Sequence, residues 1–107
     1  MALRAHLVSG GLLALGFMLS GFAAQAANVP QQAPLCASCH GQGGISSSPG
    51  IPNLAGQKQA YLARALQDYK GGLRKGPSSG MMAGIAAQLS SSDMQALAAF
   101  YAGMKPN

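Results

Sequence analysis

Both cysteines of this 107-residue chain fall in one run of five residues, Cys36-Ala37-Ser38-Cys39-His40. Two thiols so close together cannot tie distant parts of a fold, because a disulfide closing that short a loop removes little entropy from the unfolded chain. The run has to be judged by what it can bind. How much the chain needs a bound group depends on how much of it is available to build a core.

The first 26 residues read as an export signal. Met1–His6 is a short basic lead with Arg4, Leu7–Leu19 is an apolar stretch loosened by Gly10, Gly11 and Gly16, and Ala24-Gln25-Ala26 is a small-x-small cleavage site. A membrane span needs about 20 apolar residues, and Ser9, Ser20 and the glycines dilute this segment. Phe22 stands where a lipid-bearing cysteine would have to be, so a lipid anchor is disfavoured too. The expectation is cleavage near Ala26 or a neighbouring alanine and a single domain over residues 27–107, exported to the periplasm.

Those 81 residues hold four Lys and two Arg against Asp68 and Asp93, a net charge of +4. Seven Leu, three Ile, Val29 and Phe100 make up about 15% of them, below the roughly 20% at which a chain struggles to build a core. Domains of this size usually need a staple. C-x-x-C-H in an exported chain is the attachment signature of c-type haem: each thiol adds to one vinyl group of the porphyrin, and the adjacent imidazole is carried under the iron. Zinc needs four ligands, and His6, the only other histidine, lies in the signal. A thioredoxin-type dithiol belongs after a strand, and no β-rich segment precedes Cys36. One covalent haem c, on Cys36 and Cys39 with His40 as an iron ligand, is the expected cofactor.

Helical signals dominate the remainder. Residues 27–35 carry Pro30 and Pro34 and should be extended or a single short turn. Residues 41–56 have loop composition, but Ile45, Ile51 and Leu54 interrupt it, as in a loop wrapped on something apolar. Tyr61, Leu62, Ala65, Leu66 and Tyr69 recur at helical spacing over residues 57–70, with a left-handed stop at Gly71-Gly72. Residues 81–88 suit one or two helical turns. Ser90 and Asp93 form a capping box for a last helix with the stripe Met94, Leu97, Ala98 and Tyr101, ended by Gly103 and Pro106. Nothing alternates with period two, so the fold class is all-α, short helices and long loops.

A second iron ligand, if there is one, must be a thioether, from Met81, Met82, Met94 or Met104. Met94 fits the core stripe, and Met104 lies past the helix stop near a fraying end. Met81 and Met82 follow a Gly-rich loop that can deliver a side chain to iron, although methionine also fills core gaps anywhere.

Taken in order, Cys36-x-x-Cys39-His40-Gly41, Ile51-Pro52-Asn53-Leu54-Ala55-Gly56-Gln57, Tyr61-Leu62 through Tyr69-Lys70-x-Gly72-x-Arg74, and Met81-Met82 through Leu89-Ser90-x-x-Asp93 to Phe100-Tyr101 resemble the class I c-type cytochromes of the c553/c4 single-haem type. The resemblance covers residues 35–103. It implies a small cytochrome c-like fold, Met82 as distal ligand with Met81 as the alternative, and Pro52 as the residue whose carbonyl orients His40. One departure is clear: with two prolines ahead of Cys36, the N-terminal helix of that family should be shortened or absent. Phe100 and Tyr101 on the last helix would then be an uncovered apolar patch.

The function implied is one-electron transport between an exported dehydrogenase and a terminal acceptor, a carrier rather than an enzyme, since two protein ligands leave the iron no open position. The uncovered patch motivates an alternative, a bound cytochrome subunit of a larger oxidoreductase such as a flavoprotein (sulfide-type) dehydrogenase. An open-site gas- or peroxide-binding protein requires that no methionine reach the iron. Lys58, Arg64, Lys70, Arg74 and Lys75 are candidates for steering an acidic redox partner, and Arg74 or Gln57 for holding a haem propionate. The basic balance does not indicate nucleic acid, because no basic run or aromatic interleaving accompanies it.

Overall fold

The computed structural model describes residues 10–11 and 28–107. The expected export signal otherwise lies outside the described residues. Four helices follow one another: α1 (Ala33–His40), α2 (Gln59–Lys70), α3 (Ser79–Ala86) and α4 (Ser91–Ala102). No strand occurs among the described residues, in accord with the all-α expectation.

α1 exists despite Pro34, because Pro34 lies in its first turn, where the missing N–H would have had no intrahelical acceptor. Residues 33–35, read as extended or one short turn, are therefore the start of a helix, and the family's N-terminal helix is shortened rather than lost. It ends at Gly41, φ +86, where a Cβ would stand 2.0 Å from the Ile45 carbonyl oxygen. Only glycine allows the chain to turn there. α2 starts two residues later than its pattern suggested, and the left-handed residue after it is Gly72, φ +69, while Gly71 keeps a right-handed conformation. α4 begins on the expected reciprocal cap: the Asp93 N–H donates to Ser90 Oγ at 3.0 Å and the Ser90 N–H to Asp93 Oδ2 at 2.9 Å.

α2 packs against both α3 and α4. The whole stripe expected of α4, Met94, Leu97, Ala98 and Tyr101, is buried and joins Leu62, Ala63 and Leu89 in one cluster. Met94 is thus a core residue. Among the described residues five of the ten buried apolar ones are alanines, so helix contact alone buries little large side-chain surface.

Two expectations are corrected here. Tyr101 is only 3% exposed, and the half-buried Phe100 meets its ring edge-on at 5.1 Å. The Tyr101 hydroxyl donates to the Ala33 carbonyl at 3.3 Å, and the approach of Gly44 closes the other side of its ring, so even a short α1 leaves no uncovered patch. Met104 does not fray: it is half-buried against the core cluster.

Candidate haem site

Positions i, i+3 and i+4 share one face of a helix, so α1 presents Cys36, Cys39 and His40 together. All three line one cavity of about 290 Å³. Cys36 and Cys39 are free thiols, Cys36 half-buried and Cys39 exposed at the rim. Burial pushes the Cys36 thiol up from its ordinary range, and burial holds the Tyr101 phenol beside it up at about 12.

His40 is the one buried polar or charged side chain among the described residues. Its Nδ1 lies 2.7 Å from the Pro52 carbonyl oxygen. A carbonyl only accepts, so Nδ1 carries the proton and the lone pair is on Nε2. The loop of residues 41–56 holds that carbonyl in place. Gly44 O accepts the Leu54 and Ala55 N–H groups at 2.8 and 3.1 Å, and Asn53 Oδ1 accepts the Ser46 N–H at 2.7 Å. Gly44 is needed at φ +71, since a Cβ there would stand 2.9 Å from the Ala55 nitrogen and 3.0 Å from the Tyr101 ring. Of the loop's three apolar interruptions, Ile51 and Leu54 line the cavity, as expected of a loop wrapped on an apolar group, and Ile45 does not.

The opposite walls come from elements that the sequence placed on helices without saying what they face. The entire α2 stripe, Tyr61, Leu62, Ala65, Leu66 and Tyr69, lines the cavity, as do Leu97 and Tyr101 of α4. From α3 come Met81, Met82 and Ile85. Met81 is 70% exposed while Met82 is half-buried. Met94 and Met104 do not line the cavity, which leaves the adjacent pair as its thioether donors. Ile85 was overlooked; its place three residues after Met82 is the signal that pointed to it.

At the cavity mouth Arg74 bridges two phenols of α2. Its Nη1 donates to Tyr69 Oη at 3.3 Å and its Nη2 to Tyr61 Oη at 3.1 Å, with the guanidinium 5.1 and 5.7 Å from the two ring centres. Those hydroxyls raise the guanidinium pKa further. Gln57 also lines the cavity. Of the five cations considered for steering, Arg64 pairs with Asp68 at 3.3 Å, Lys70 Nζ donates to the Leu89 carbonyl, and Arg74 is committed to the phenols. Lys58 and Lys75 carry no such contact.

The donor set fits a covalent haem: two thiols at attachment spacing, one buried imidazole with its lone pair free, a thioether pair, and otherwise apolar walls. Cys36, Cys39 and His40 are one donor short of the four that zinc needs, and among the described residues no group of three or more His, Cys, Asp or Glu is arranged to hold a metal ion. A short-helix shell closed around this constellation defines a c-type cytochrome. The cytochrome c family model matches residues 26–105, and the chain belongs to that family; its cofactor is a covalent haem c. It is 37% identical over 102 residues to cytochrome c4 of Azotobacter vinelandii, covering 89% of this chain and 49% of that protein. It is 36% identical over 94 residues to the thiosulfate dehydrogenase electron acceptor of Thiomonas intermedia, covering 87% and 42%. The structure of reduced recombinant cytochrome c4 from Pseudomonas stutzeri superposes with a TM-score of 0.60 at 37% identity, over 65% of this chain and 38% of that one. The chain spans about half the length of the curated relatives it matches.

Proposed function

We propose that the protein is a one-electron carrier whose haem c is attached through Cys36 and Cys39 and ligated by His40 and Met82. The observation that carries this is the buried His40, oriented by Pro52 at 2.7 Å with its Nε2 lone pair unengaged, in the same cavity as the half-buried Met82. When bound, haem c would supply a reversible one-electron change at its iron, and one thioether with one imidazole would raise the potential relative to two histidines. His40 donates its Nε2 lone pair, and the Pro52 carbonyl fixes the ring's tautomer and direction. Met82 would supply the second protein ligand and so leave no open position for small ligands. Leu62, Leu66, Leu97 and Tyr101 exclude water. Arg74 stands at the mouth, where it would hold a propionate.

In this reading residues 1–26 are removed on export, residues 27–107 form one cytochrome domain, and the carrier works in the periplasm between an exported dehydrogenase and a terminal acceptor. No helix among the described residues is long and apolar enough to cross a membrane. The relative named as an electron acceptor of thiosulfate dehydrogenase supports a dehydrogenase as donor. The bound-subunit alternative was motivated by the shortened N-terminal segment, the low surface charge and an uncovered Phe100–Tyr101 patch; the burial of Tyr101 and half-burial of Phe100 support the free carrier.

The optical spectrum of protein matured in a host that attaches c-type haem tests the assignment. A ferric thioether-to-iron charge-transfer band should be lost in Met82→Ala and kept in Met81→Ala. The wild-type ferrous protein should bind carbon monoxide poorly at neutral pH and elute as a monomer. Prompt carbon monoxide binding by the wild type overturns the closed-site reading, and the reverse pattern in the two variants moves the ligand to Met81.

A further inference from the structure

Tyr101 lies in the last turn of α4, where backbone carbonyls have no donor within the helix. Its carbonyl instead accepts the N–H of Gly56 at 3.0 Å and that of Met104 at 3.1 Å. The segment after α4 then folds back, and the Pro106 ring covers Gly56: a Cβ on Gly56, φ +72, would stand 2.8 Å from Pro106 Cδ and 2.9 Å from Cγ. The Tyr101 ring meanwhile closes on Gly44, where a Cβ would stand 3.0 Å from Cδ1. One residue of α4 therefore pins the loop of residues 41–56 near its start and at its end, and Pro106 caps the second pin.

Between the pins the loop is tied mainly to itself, by the Gly44 carbonyl to Leu54 and Ala55 and by Asn53 to Ser46, and otherwise to the adjacent Gln57, whose N–H donates to the Leu54 carbonyl at 3.2 Å and whose Nε2 donates to the Asn53 carbonyl at 3.5 Å. Pro52, next to Asn53, has no N–H to anchor itself, yet its carbonyl is the acceptor for His40. We infer that residues 103–106 form a clasp that holds the Pro52 carbonyl on His40, with Gly56 and Pro106 as positioning residues that set the iron's reduction potential from outside the cavity. The inference rests on His40 being the iron ligand, as proposed above. A carbonyl accepting from Nδ1–H makes Nε2 more basic and favours ferric iron. Loosening the clasp weakens that hydrogen bond and favours ferrous iron.

The test compares haem-loaded wild type, Pro106→Gly, Gly56→Ala and the double variant by redox potentiometry and by proton exchange at His40 Nδ1 in the ferrous protein. Poised at the wild-type midpoint, Pro106→Gly should shift the ferrous-to-ferric ratio about threefold toward ferrous, the scale of weakening one hydrogen bond, and Nδ1–H should exchange faster. Gly56→Ala should do more, since it adds both a positive-φ side chain and the collision with Pro106. The double variant should fall short of the sum, because the ring that the new methyl meets is gone. Variants that melt earlier but keep the wild-type potential and exchange rate overturn the clasp and leave the segment merely structural. A wild type that matures without a histidine-ligated spectrum overturns the electron-carrier reading and the clasp with it; a normal wild type with unmoved variants overturns the clasp alone.

Discussion

Leu97→Ala separates a core completed by the cofactor from one that the helices complete among themselves. Leu97 is 2% exposed, packs in the cluster with Leu62, Met94 and Tyr101, and also lines the cavity. Leu89 is buried to the same degree in the same cluster but does not line the cavity. Removing three carbons forfeits about 2.4 kcal/mol of transfer free energy at ~0.8 kcal/mol per methylene. The void left behind raises Leu→Ala costs to roughly 2.7–5 kcal/mol, depending on how far the surroundings collapse. Around Leu89 the neighbours are side chains that can move inward, which places Leu89→Ala near ~3 kcal/mol. Around Leu97 one boundary would be the rigid macrocycle filling the cavity it lines, which places Leu97→Ala nearer ~4 kcal/mol. At about 4–8 °C per kcal/mol for a domain of this size, the melting point should fall by roughly 15–30 °C. The assay is guanidinium unfolding of the haem-loaded protein, followed by far-UV circular dichroism and haem absorbance together, with the potential measured on the same samples. Only Leu97→Ala should also lower the potential, because water entering beside the ring stabilises the more highly charged ferric state. A Leu97→Ala loss under about 1 kcal/mol, well below the Leu→Ala range, or an unmoved potential, refutes the reasoning.

Ser90→Ala should cost about 1 kcal/mol by stranding an amide at the start of α4, read by the same denaturant titration. Asp93 accepts from the Ser90 N–H and hydroxyl, which hold its carboxyl below the usual range. Its contribution is therefore fully present above the unfolded value of about 4 and is lost as pH falls through the lower folded one; Asp93→Asn should flatten the acid limb of stability against pH. Arg74→Gln removes a positive charge at the cavity mouth and should lower the reduction potential, shifting the oxidation equilibrium by less than about tenfold, since exposed charges interact weakly; voltammetry at low and high salt measures it. An unchanged or raised potential would place Arg74 away from the haem.

Reading the sequence reached the helices wherever a local signal was strong. The Ser90–Asp93 cap, the α4 stripe and the spacing of Cys36, Cys39 and His40 are all encoded within a few residues, and each appears in the structure. α1 was underestimated because a proline is destructive inside a helix yet harmless in its first turn, and composition alone does not show where that turn begins. The α2 stripe was legible as apolar, but Tyr61, Leu66 and Tyr69 face a cofactor cavity rather than only another helix, and periodicity cannot say what lies opposite a face. Pairings between distant residues were least visible. Lys70 on the Leu89 carbonyl and Arg74 between two phenols hold in place cationic side chains that a count leaves free, and Pro106, expected only as a helix stop, covers Gly56 of the loop.

Stability and redox tuning draw here on the same few side chains. Half of the buried apolar residues among those described are alanines, so the helices approach closely but leave the larger apolar surfaces of α2, α3 and the loop of residues 41–56 turned toward the cavity. Filling that cavity with haem buries those surfaces and excludes water from the iron in one step. A substitution in the wall therefore cannot alter packing without altering the dielectric around the metal. The potential can be adjusted independently only where a residue acts on the iron without lining the cavity; in the clasp proposed above Gly56 and Pro106 are such residues, since they stay outside it while bearing on the loop that carries the Pro52 carbonyl.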